Sequence, residues 1–214
     1  MKIKQFEFNF FGVNTYVVFD EKTREAVVVD PGMMNEAEQK RLTDYIADND
    51  LKVKHILNTH LHVDHALGNN FVCQTYGLVT EASEGDAQLG EAISTQAETF
   101  HMPVKGLAPV MIGHKLTDGQ RISLGDSYLE VIATPGHSQG SVCFYCPDWN
   151  FLLSGDTLFR GSIGRTDLPG GNHFQLLESI RQRLLPLPDH VQVHCGHGPM
   201  TTIGQERHSN PWFA

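Results

Sequence analysis

The sequence predicts an α/β fold, a four-layer αββα sandwich in which helices cover the outer faces of two packed β-sheets. Three observations support this prediction. Strand patterns outnumber helix patterns, each half of the chain begins with strands and then alternates helix with strand, and no linker or solenoid repeat interrupts the 214 residues. We therefore expect residues 1–214 to form a single domain.

The predicted strands are short runs of alternating or β-branched apolar residues. They cover Ile3–Phe8, Thr15–Phe19, Ala26–Val29, His55–Leu57, Leu78–Thr80, Tyr128–Ala133, Ser141–Tyr145, Phe151–Leu153 and Val191–His194. These runs are spread over both halves of the chain, so the pattern indicates two similar halves that are both rich in strands.

The predicted helices have apolar residues spaced three or four apart. They cover Asn35–Asn49, Ala66–Tyr76, Gly85–Thr99 and Phe174–Leu184. A proline at position 186 ends the last pattern. Residues 100–113, FHMPVKGLAPVMIG, are rich in Gly and Pro, and we expect them to form a loop over one edge of the domain.

The overall charge limits the classes of partner. The formal charge is −9 and the pI is about 5.7, which argues against a surface for nucleic-acid backbone, since that requires a basic stripe. No segment approaches the roughly 20 apolar residues that span a bilayer. The N-terminal residues alternate apolar with polar side chains, unlike a signal peptide. We expect a cytoplasmic protein that acts on a small molecule and has no nucleic-acid or membrane partners. The sequence does not determine its oligomeric state.

Two of the four cysteines, Cys143 and Cys146, have the spacing of a redox or zinc-binding pair. The chain offers no second pair of this kind, and both residues lie in a predicted strand, SVCFYCP. We interpret them as small residues packed within that strand.

The stretch NTHLHVDHALGN, residues 58–69, places three histidines and an aspartate directly after a predicted strand. In an extended loop His60 and His62 project to the same side and can share one metal ion. Asp64 and His65 lead into the next helix, point another way and can reach a second ion. Imidazole and carboxylate groups are usual ligands of zinc, iron and manganese. The stretch therefore predicts half of a two-metal site.

Three further polar residues follow predicted strands and have glycine beside them. They are His137 in TPGHSQGS, Asp156 in LLSGDTLF and His197 in VHCGHGPMT. Glycine permits a tight turn that brings the backbone close and aims the polar side chain inward. With the first stretch, these residues make the set that a two-metal site with one bridging carboxylate would require.

The motifs THLHVDH, PGHSQGS, SGDTLF and GHGP resemble the metallo-β-lactamase superfamily, and within it the short glyoxalase II-like thioester hydrolases. The resemblance runs from about residue 14 to residue 199. It implies the αββα fold, with two divalent ions at one edge between the sheets, zinc first and iron or manganese as alternatives. The ligand positions would be His60, His62 and His137 for the first ion, Asp64, His65 and His197 for the second, and Asp156 as the bridge.

The same resemblance implies a hydrolase in which a hydroxide bridging the ions attacks a thioester carbonyl, as in S-lactoylglutathione or a related acyl-thiol. A thiolate leaves with little help from an acid, because thiols have a pKa of about 8.5. We expect Asp64 to hold the proton of the nucleophile. Asp30, in VVVDPG, either orients a ligand histidine or forms an ordinary turn. Full-length glyoxalase II proteins carry a C-terminal helical domain that contacts glutathione, and its absence here leaves the acyl-thiol open.

The glycine-rich segment 159–172, FRGSIGRTDLPGGN, resembles the loop that lies beside the metals in this subfamily. Arg160 and Arg165 could receive a substrate carboxylate through the planar guanidinium group. Structural salt bridges with Asp156 or Asp167 are the alternative for each arginine.

Other functions share the fold that the resemblance implies. A persulfide dioxygenase uses one iron held by fewer residues, and lactonases and β-lactamases use the same metal core. The lack of a secretory signal and the aspartate at the bridging position disfavour a β-lactamase. A non-catalytic module would have lost ligands, and a flavodiiron protein would carry an added flavodoxin-like domain.

The remaining histidines and Cys195 are outside the predicted ligand set. We expect five histidines to be structural or exposed: His55, His101, His114, His190 and His208. Two others, His173 and His194, lie near the motif loops and stay undecided. Cys195 stands where the family usually has proline, and we interpret it as a packed turn residue.

Overall fold

Two six-stranded sheets form the centre of the computed structural model, which describes residues 1–104 and 106–213. Lys105, within the predicted loop 100–113, and Ala214 lie outside the described residues. Within the described part, no helix is long and apolar enough to cross a membrane.

The first sheet holds its six strands in chain order. They are β1 (Lys2–Phe8), β2 (Val13–Phe19), β3 (Glu25–Val29), β4 (Lys52–Leu57), β5 (Thr80–Ala82) and β6 (Ile112–Lys115). Strands β1 to β3 pair antiparallel, whereas the pairs from β3 to β6 are parallel. Because parallel strands end at the same edge, the loops that follow β3 and β4 lie side by side.

The second sheet has the order β14-β13-β10-β9-β8-β7. Its strands and the small hairpin β11–β12 are β7 (Arg121–Leu124), β8 (Ser127–Ala133), β9 (Val142–Cys146), β10 (Phe151–Gly155), β11 (Leu158–Phe159), β12 (Ser162–Ile163), β13 (Gln192–Cys195) and β14 (Thr201–Thr202). Strands β10 and β13 are parallel, so the segments that follow them leave from the same edge.

The helices lie on the outer faces of the sheets and at the edge that carries the motif loops. They are α1 (Glu36–Asp48), α2 (Val63–Ala66), α3 (Asn69–Tyr76), α4 (Ala87–Glu91), α5 (Ile93–Thr99), α6 (His173–Ser179) and α7 (Ile203–Ser209). Helix α6 continues into a π-helical turn at Ile180–Leu184. The side chain of Asn35 accepts a hydrogen bond from the Glu38 backbone N–H and caps α1.

Strand β2 shows why the chain forms layers, since all seven of its residues are buried. Tyr16 and Val18, on one face, belong to the core between the two sheets. Val17 and Phe19, on the other face, pack against α1 in a cluster that includes Leu42. Successive side chains of a strand point to opposite faces, so a strand covered on both sides is mostly apolar. The two buried polar residues of β2, Asn14 and Thr15, donate hydrogen bonds to the Cys195 and Asp30 carbonyls. A matching outer cluster joins the second sheet to α6 and α7.

The cysteine pair of β9 follows the same alternation. Cys146 lies in the core between the sheets, and Cys143 lies on the opposite face in the outer cluster. Burial raises the pKa of the Cys143 thiol to about 11. The interpretation of both residues as packed strand residues is confirmed, because two thiols on opposite faces of a strand cannot bind one ion.

The predicted four-layer αββα sandwich is confirmed, with corrections to several elements. The strand predicted at Leu78–Thr80 begins two residues late, at Thr80, because Gly77 ends α3 with φ +66° and the Leu78 N–H still donates to the Cys73 carbonyl. The segment predicted as one helix over Gly85–Thr99 divides at Ala92. The predicted loop 100–113 overlaps β6, which starts at Ile112.

Candidate metal centre

All seven predicted ligand residues meet at the edge where β4, β8, β10 and β13 end. The segment between β4 and α3 supplies four of them, and the turns after β8, β10 and β13 supply one each. Glycine is needed in two of these turns. Gly155 has φ +49° beside Thr59, and a side chain at Gly196 would collide with the Asp156 carboxylate.

The first group consists of His60, His62 and His137, all buried. The His137 Nε2 atom lies 2.9 Å from His62 Nδ1 and 3.2 Å from His60 Nε2. Three ring nitrogens therefore converge on one point, which is the arrangement expected of three imidazole ligands to one ion.

The second group consists of Asp64, His65 and His197. The His197 Nε2 atom lies 3.1 Å from Asp64 Oδ2 and 3.2 Å from His65 Nε2. Asp64 is 18% exposed and His197 is 27% exposed, so this group forms the more open side of the centre.

Asp156 lies between the two groups. Its Oδ1 atom is 3.3 Å from His65 Nε2, and its Oδ2 atom is 3.6 Å from His197 Nε2 and 3.7 Å from His137 Nε2. The carboxylate thus contacts both groups, as the bridging position predicted from the sequence requires.

A buried atom without a hydrogen-bond partner tests whether this cluster suits cations. It is Asp156 Oδ1, which lies 3.3 Å from His65 Nε2. Buried polar atoms are otherwise almost always paired, because leaving one unpaired costs free energy. Ring nitrogens that face one another also favour a bound cation, because one positive ion can accept the lone pairs of several nitrogens at once. The donor set, of imidazole nitrogens and carboxylate oxygens, fits divalent ions such as zinc, iron or manganese.

The charges of the cluster agree with this fit. Burial, followed by the neighbouring histidines, holds the pKa of His60 well below its ordinary value and lowers the pKa of His62 to about 3, so both rings stay neutral. Burial opposes ionisation of Asp156, but His65, His137 and His197 outweigh it and lower the pKa of this carboxyl. Neutral imidazole and ionised carboxylate are the forms that bind metal ions.

The acidic side chains also draw positive charge to the second group. Burial works to lower the pKa of His65, but Asp156, Asp64 and Asp30 outweigh it and raise that pKa well above its ordinary value. The pKa of His197 is raised as well, since Asp64 and Asp156 outweigh burial. A divalent cation would meet the same demand for positive charge.

Hydrogen bonds to the second ring nitrogen orient most of the histidines. The Nδ1 partners are the Thr59 hydroxyl at 3.1 Å from His60, Asp30 Oδ2 at 3.0 Å from His65, the Arg165 carbonyl at 2.7 Å from His137 and the Phe11 carbonyl at 3.1 Å from His197. Such partners fix the ring and leave Nε2 directed at the centre.

Asp30 makes the contact that the sequence left open. One oxygen accepts the His65 Nδ1–H, and the carboxylate also accepts hydrogen bonds from the Thr59 N–H and hydroxyl, both at 2.7 Å. The residue has φ +50°, an unusual conformation for an aspartate. The orienting role, rather than the ordinary turn, describes this geometry.

Asp86 is a residue of the centre that the sequence analysis missed. It is buried, and its carboxylate accepts hydrogen bonds from the Leu61 N–H at 3.0 Å, the Ser138 hydroxyl at 2.8 Å and the Gly140 N–H at 2.7 Å. Leu61 lies between two ligand histidines and Ser138 follows His137, so Asp86 ties together the two loops of the first group. No sequence signal marked it, because its partners are 25 to 54 residues away.

The two arginines take other positions. Arg165 lines the cleft above the centre, but its Nε and Nη2 atoms donate to both oxygens of Asp167, at 2.8 and 2.7 Å. Arg160 is exposed and is not among the residues that line the cleft. For Arg165 the structure therefore shows the salt bridge with Asp167 that the sequence offered as the alternative.

The remaining histidines lie outside the ligand cluster. His55 Nδ1–H donates to Glu81 Oε1 at 2.6 Å, and His101, His114, His190 and His208 are exposed, in agreement with the expectation. The two undecided residues, His173 and His194, pack against aromatic rings: His173 against Trp212, and His194 against Tyr16 and Phe151.

Cys195 is a packed residue, as interpreted from the sequence. It is buried in the outer cluster of the second sheet, and burial raises the pKa of its thiol to about 12. A thiol with such a pKa is protonated at neutral pH, so it lacks the thiolate needed to bind a metal or act as a nucleophile.

A family model decides the classification of the chain. The model of the metallo-beta-lactamase superfamily matches residues 8–197, a range that contains every residue of the ligand cluster. The chain belongs to this superfamily. It is a metal-dependent hydrolase of the superfamily, whose members bind divalent metal ions.

Individual members of the superfamily match the chain over nearly its full length. A Haemophilus influenzae protein named hydroxyacylglutathione hydrolase GloC is 35% identical over 95% of this chain and 93% of its own length. The crystal structure of BLEG-1 B3 metallo-beta-lactamase matches with a TM-score of 0.88 and 36% identity, covering 100% of both chains. The crystal structure of TTHA1623 in a di-iron-bound form has a TM-score of 0.85 and 33% identity, covering 99% of this chain and 100% of that one.

Proposed function

We propose that this superfamily member is a dinuclear hydrolase of thioesters, of the glyoxalase II type. One observation carries the proposal: Asp156 lies between two groups of three potential ligands, 3.7 Å from His137 of the first group and 3.3 Å from His65 of the second. The relative named as a hydroxyacylglutathione hydrolase supports thioesters as the substrate class and S-lactoylglutathione as the first compound to test.

The proposed ligands are His60, His62 and His137 for one ion, Asp64, His65 and His197 for the other, and Asp156 for both. When bound, the ions would lower the pKa of a water molecule towards neutrality and polarise a carbonyl oxygen. Zinc is the first choice, with manganese and iron as alternatives. The di-iron-bound relative supports testing iron.

The residues of the chain would place the substrate and move the proton. A cleft of about 450 Å³ opens over the centre, and Asp64 and Asp156 are among the residues that line it. We assign the proton of the attacking water to Asp64, the more exposed of the two carboxylates that line the cleft, at 18% against 13% for Asp156. The thiolate product leaves without a general acid, because its conjugate thiol has a pKa of about 8.5.

A persulfide dioxygenase with a single iron is the competing function. The first group and Asp156 would suffice for one iron, whereas the second group has no role in that reaction. The close packing of Asp64 and His197, 3.1 Å apart at the cleft, favours the dinuclear hydrolase. A cytoplasmic location, a small-molecule partner and a single domain stay predictions from the sequence.

The test is S-lactoylglutathione turnover, followed by thiol release, on protein whose metal content has been counted. Turnover with close to two metal ions per chain supports the proposal. Iron at one per chain, with oxygen uptake on glutathione persulfide and no thioester hydrolysis, would replace the hydrolase with the dioxygenase.

A further inference from the structure

The walls of the cleft over the metal centre are largely apolar. Phe11, Phe100, Phe159, Ile163 and Leu168 line it. Phe11 is 39% exposed, so its ring can contact a substrate that enters the cleft. The Phe11 and Phe100 rings meet edge to face at 5.9 Å, so they form one wall rather than isolated contacts.

Free positive charge is scarce in the same cleft. Among the described residues that line it, Arg165 is the one with a permanent positive charge, and Asp167 occupies its guanidinium with two hydrogen bonds. The ligand residues form the floor of the cleft, and the two carboxylates that line it, Asp64 and Asp156, are proposed ligands of the ions. Above the floor, at the apolar walls that form the mouth, a substrate carboxylate would meet apolar side chains and no free cationic side chain among the described lining residues.

We propose that the cleft selects thioesters whose substituent at the mouth is apolar and uncharged, and that it disfavours substituents bearing a carboxylate. This inference rests on the proposed thioester hydrolysis and narrows its substrate class, since it makes S-lactoylglutathione, whose glutathione part carries two carboxylates, a poorer substrate than an uncharged thioester. The physical reason is that apolar rings stabilise an apolar group by removing both from water, whereas a carboxylate placed there loses hydration without gaining a partner.

The test compares thioesters that differ in one substituent. On the neutral carrier N-acetylcysteamine, kcat/KM is measured for the phenylacetyl, acetyl and succinyl thioesters, using protein loaded with two metal ions. A second series keeps the acetyl group and varies the thiol between benzyl mercaptan and 3-mercaptopropionate, since either end of a thioester can face the mouth. We expect the aryl compound to exceed the carboxylate compound in kcat/KM by about 10-fold or more in at least one series.

A charge variant sharpens the test. Asp167→Asn releases Arg165 from its ion pair, and we expect kcat/KM for the carboxylate compound to rise several-fold while that of the acetyl thioester stays constant. Asp44→Asn is the matched control, because it breaks another exposed ion pair, in which Lys40 donates to both Asp44 oxygens at 2.8 and 2.7 Å, and neither residue lines the cleft. The control should leave the order of the substrates unchanged.

The outcomes distinguish a failure of the apolar selectivity from a failure of the proposed thioester hydrolysis. Equal or higher kcat/KM for the carboxylate compounds in both series would overturn the apolar selectivity and leave thioester hydrolysis intact. No hydrolysis of any thioester, S-lactoylglutathione included, by protein with two bound ions would overturn the proposed function and this inference together.

Discussion

The floor and the mouth of the cleft are built in opposite ways. The floor is polar, largely buried and tightly held by hydrogen bonds, such as that from His65 to Asp30 and those from Leu61 and Ser138 to Asp86. The mouth is apolar and partly exposed, and its rings meet one another through loose aromatic contacts such as that between Phe11 and Phe100. In the proposed function, the floor would determine the reaction and the mouth would determine which substrate is accepted.

The largest effect is expected from a substitution of Asp156 in the floor of the cleft. Asp156→Ala removes the one carboxylate shared by both ligand groups, so metal content should fall below two per chain and thioester kcat by about three orders of magnitude. Metal analysis and steady-state kinetics measure both. The control is Asp148→Ala, an exposed aspartate that bonds to Ser127 at 2.8 Å. Full activity in the Asp156 variant would remove this residue from the centre.

The next largest effect is expected from Asp86, which connects the two loops of the first ligand group. In Asp86→Asn, one oxygen and one NH₂ group replace a carboxylate that accepts three hydrogen bonds, so at least one donor faces another donor. We expect affinity for one metal ion to fall by about 10- to 100-fold. Titration with Co²⁺, followed by its visible absorption, reports both affinity and ligand geometry.

Glu206→Gln is the matched control for the Asp86 variant. Glu206 is also a buried carboxylate with three donors, from Thr201, Gly161 and Asn210, and it touches no ligand residue. Both variants should lower the thermal midpoint, but only Asp86→Asn should change the Co²⁺ spectrum. Identical Co²⁺ binding in the two variants would make Asp86 a purely structural residue.

A smaller effect is expected at the mouth. Phe100→Ala removes part of the apolar wall, which should lower kcat/KM for the phenylacetyl thioester by about 10-fold, equivalent to about 1.4 kcal/mol of lost apolar contact. Metal content should stay at the wild-type value, because Phe100 touches no residue of the ligand cluster. Loss of metal in this variant would show that the mouth also contributes to metal binding at the floor.

The smallest effect is expected outside the cleft. Arg160→Ala should change S-lactoylglutathione KM by less than about 2-fold, because the side chain is exposed and does not line the cleft. A large rise in KM, measured by steady-state kinetics, would return Arg160 to the carboxylate-binding role that the sequence allowed.

Features that depend on residues close together in the chain could be predicted from the sequence. The positions of the ligand residues were visible because four of them are close together in residues 58–69 and the other three stand beside glycines at strand ends. The layered fold was visible because strands covered on both faces are mostly apolar, as β2 is from Tyr16 to Phe19. These signals are local, so one sequence displays them.

Other features depend on partners that are distant along the chain. Asp86 could not be recognised, since an aspartate before a helix looks like an ordinary cap until Leu61 and Gly140 are brought to it by folding. Strands of two residues, such as β11 and β14, have no detectable period. Whether Arg165 pairs with Asp167 or stays available to a substrate likewise could not be predicted without the structure of the loop.

The most direct test of the account is a metal titration of metal-free protein while thioester hydrolysis is followed. The shared carboxylate of Asp156 and the two ligand groups predict that the initial rate rises to a plateau at about two equivalents of zinc or another divalent ion per chain. A plateau at one equivalent, or full hydrolysis by the metal-free protein, would contradict the two-ion centre on which the proposed reaction depends.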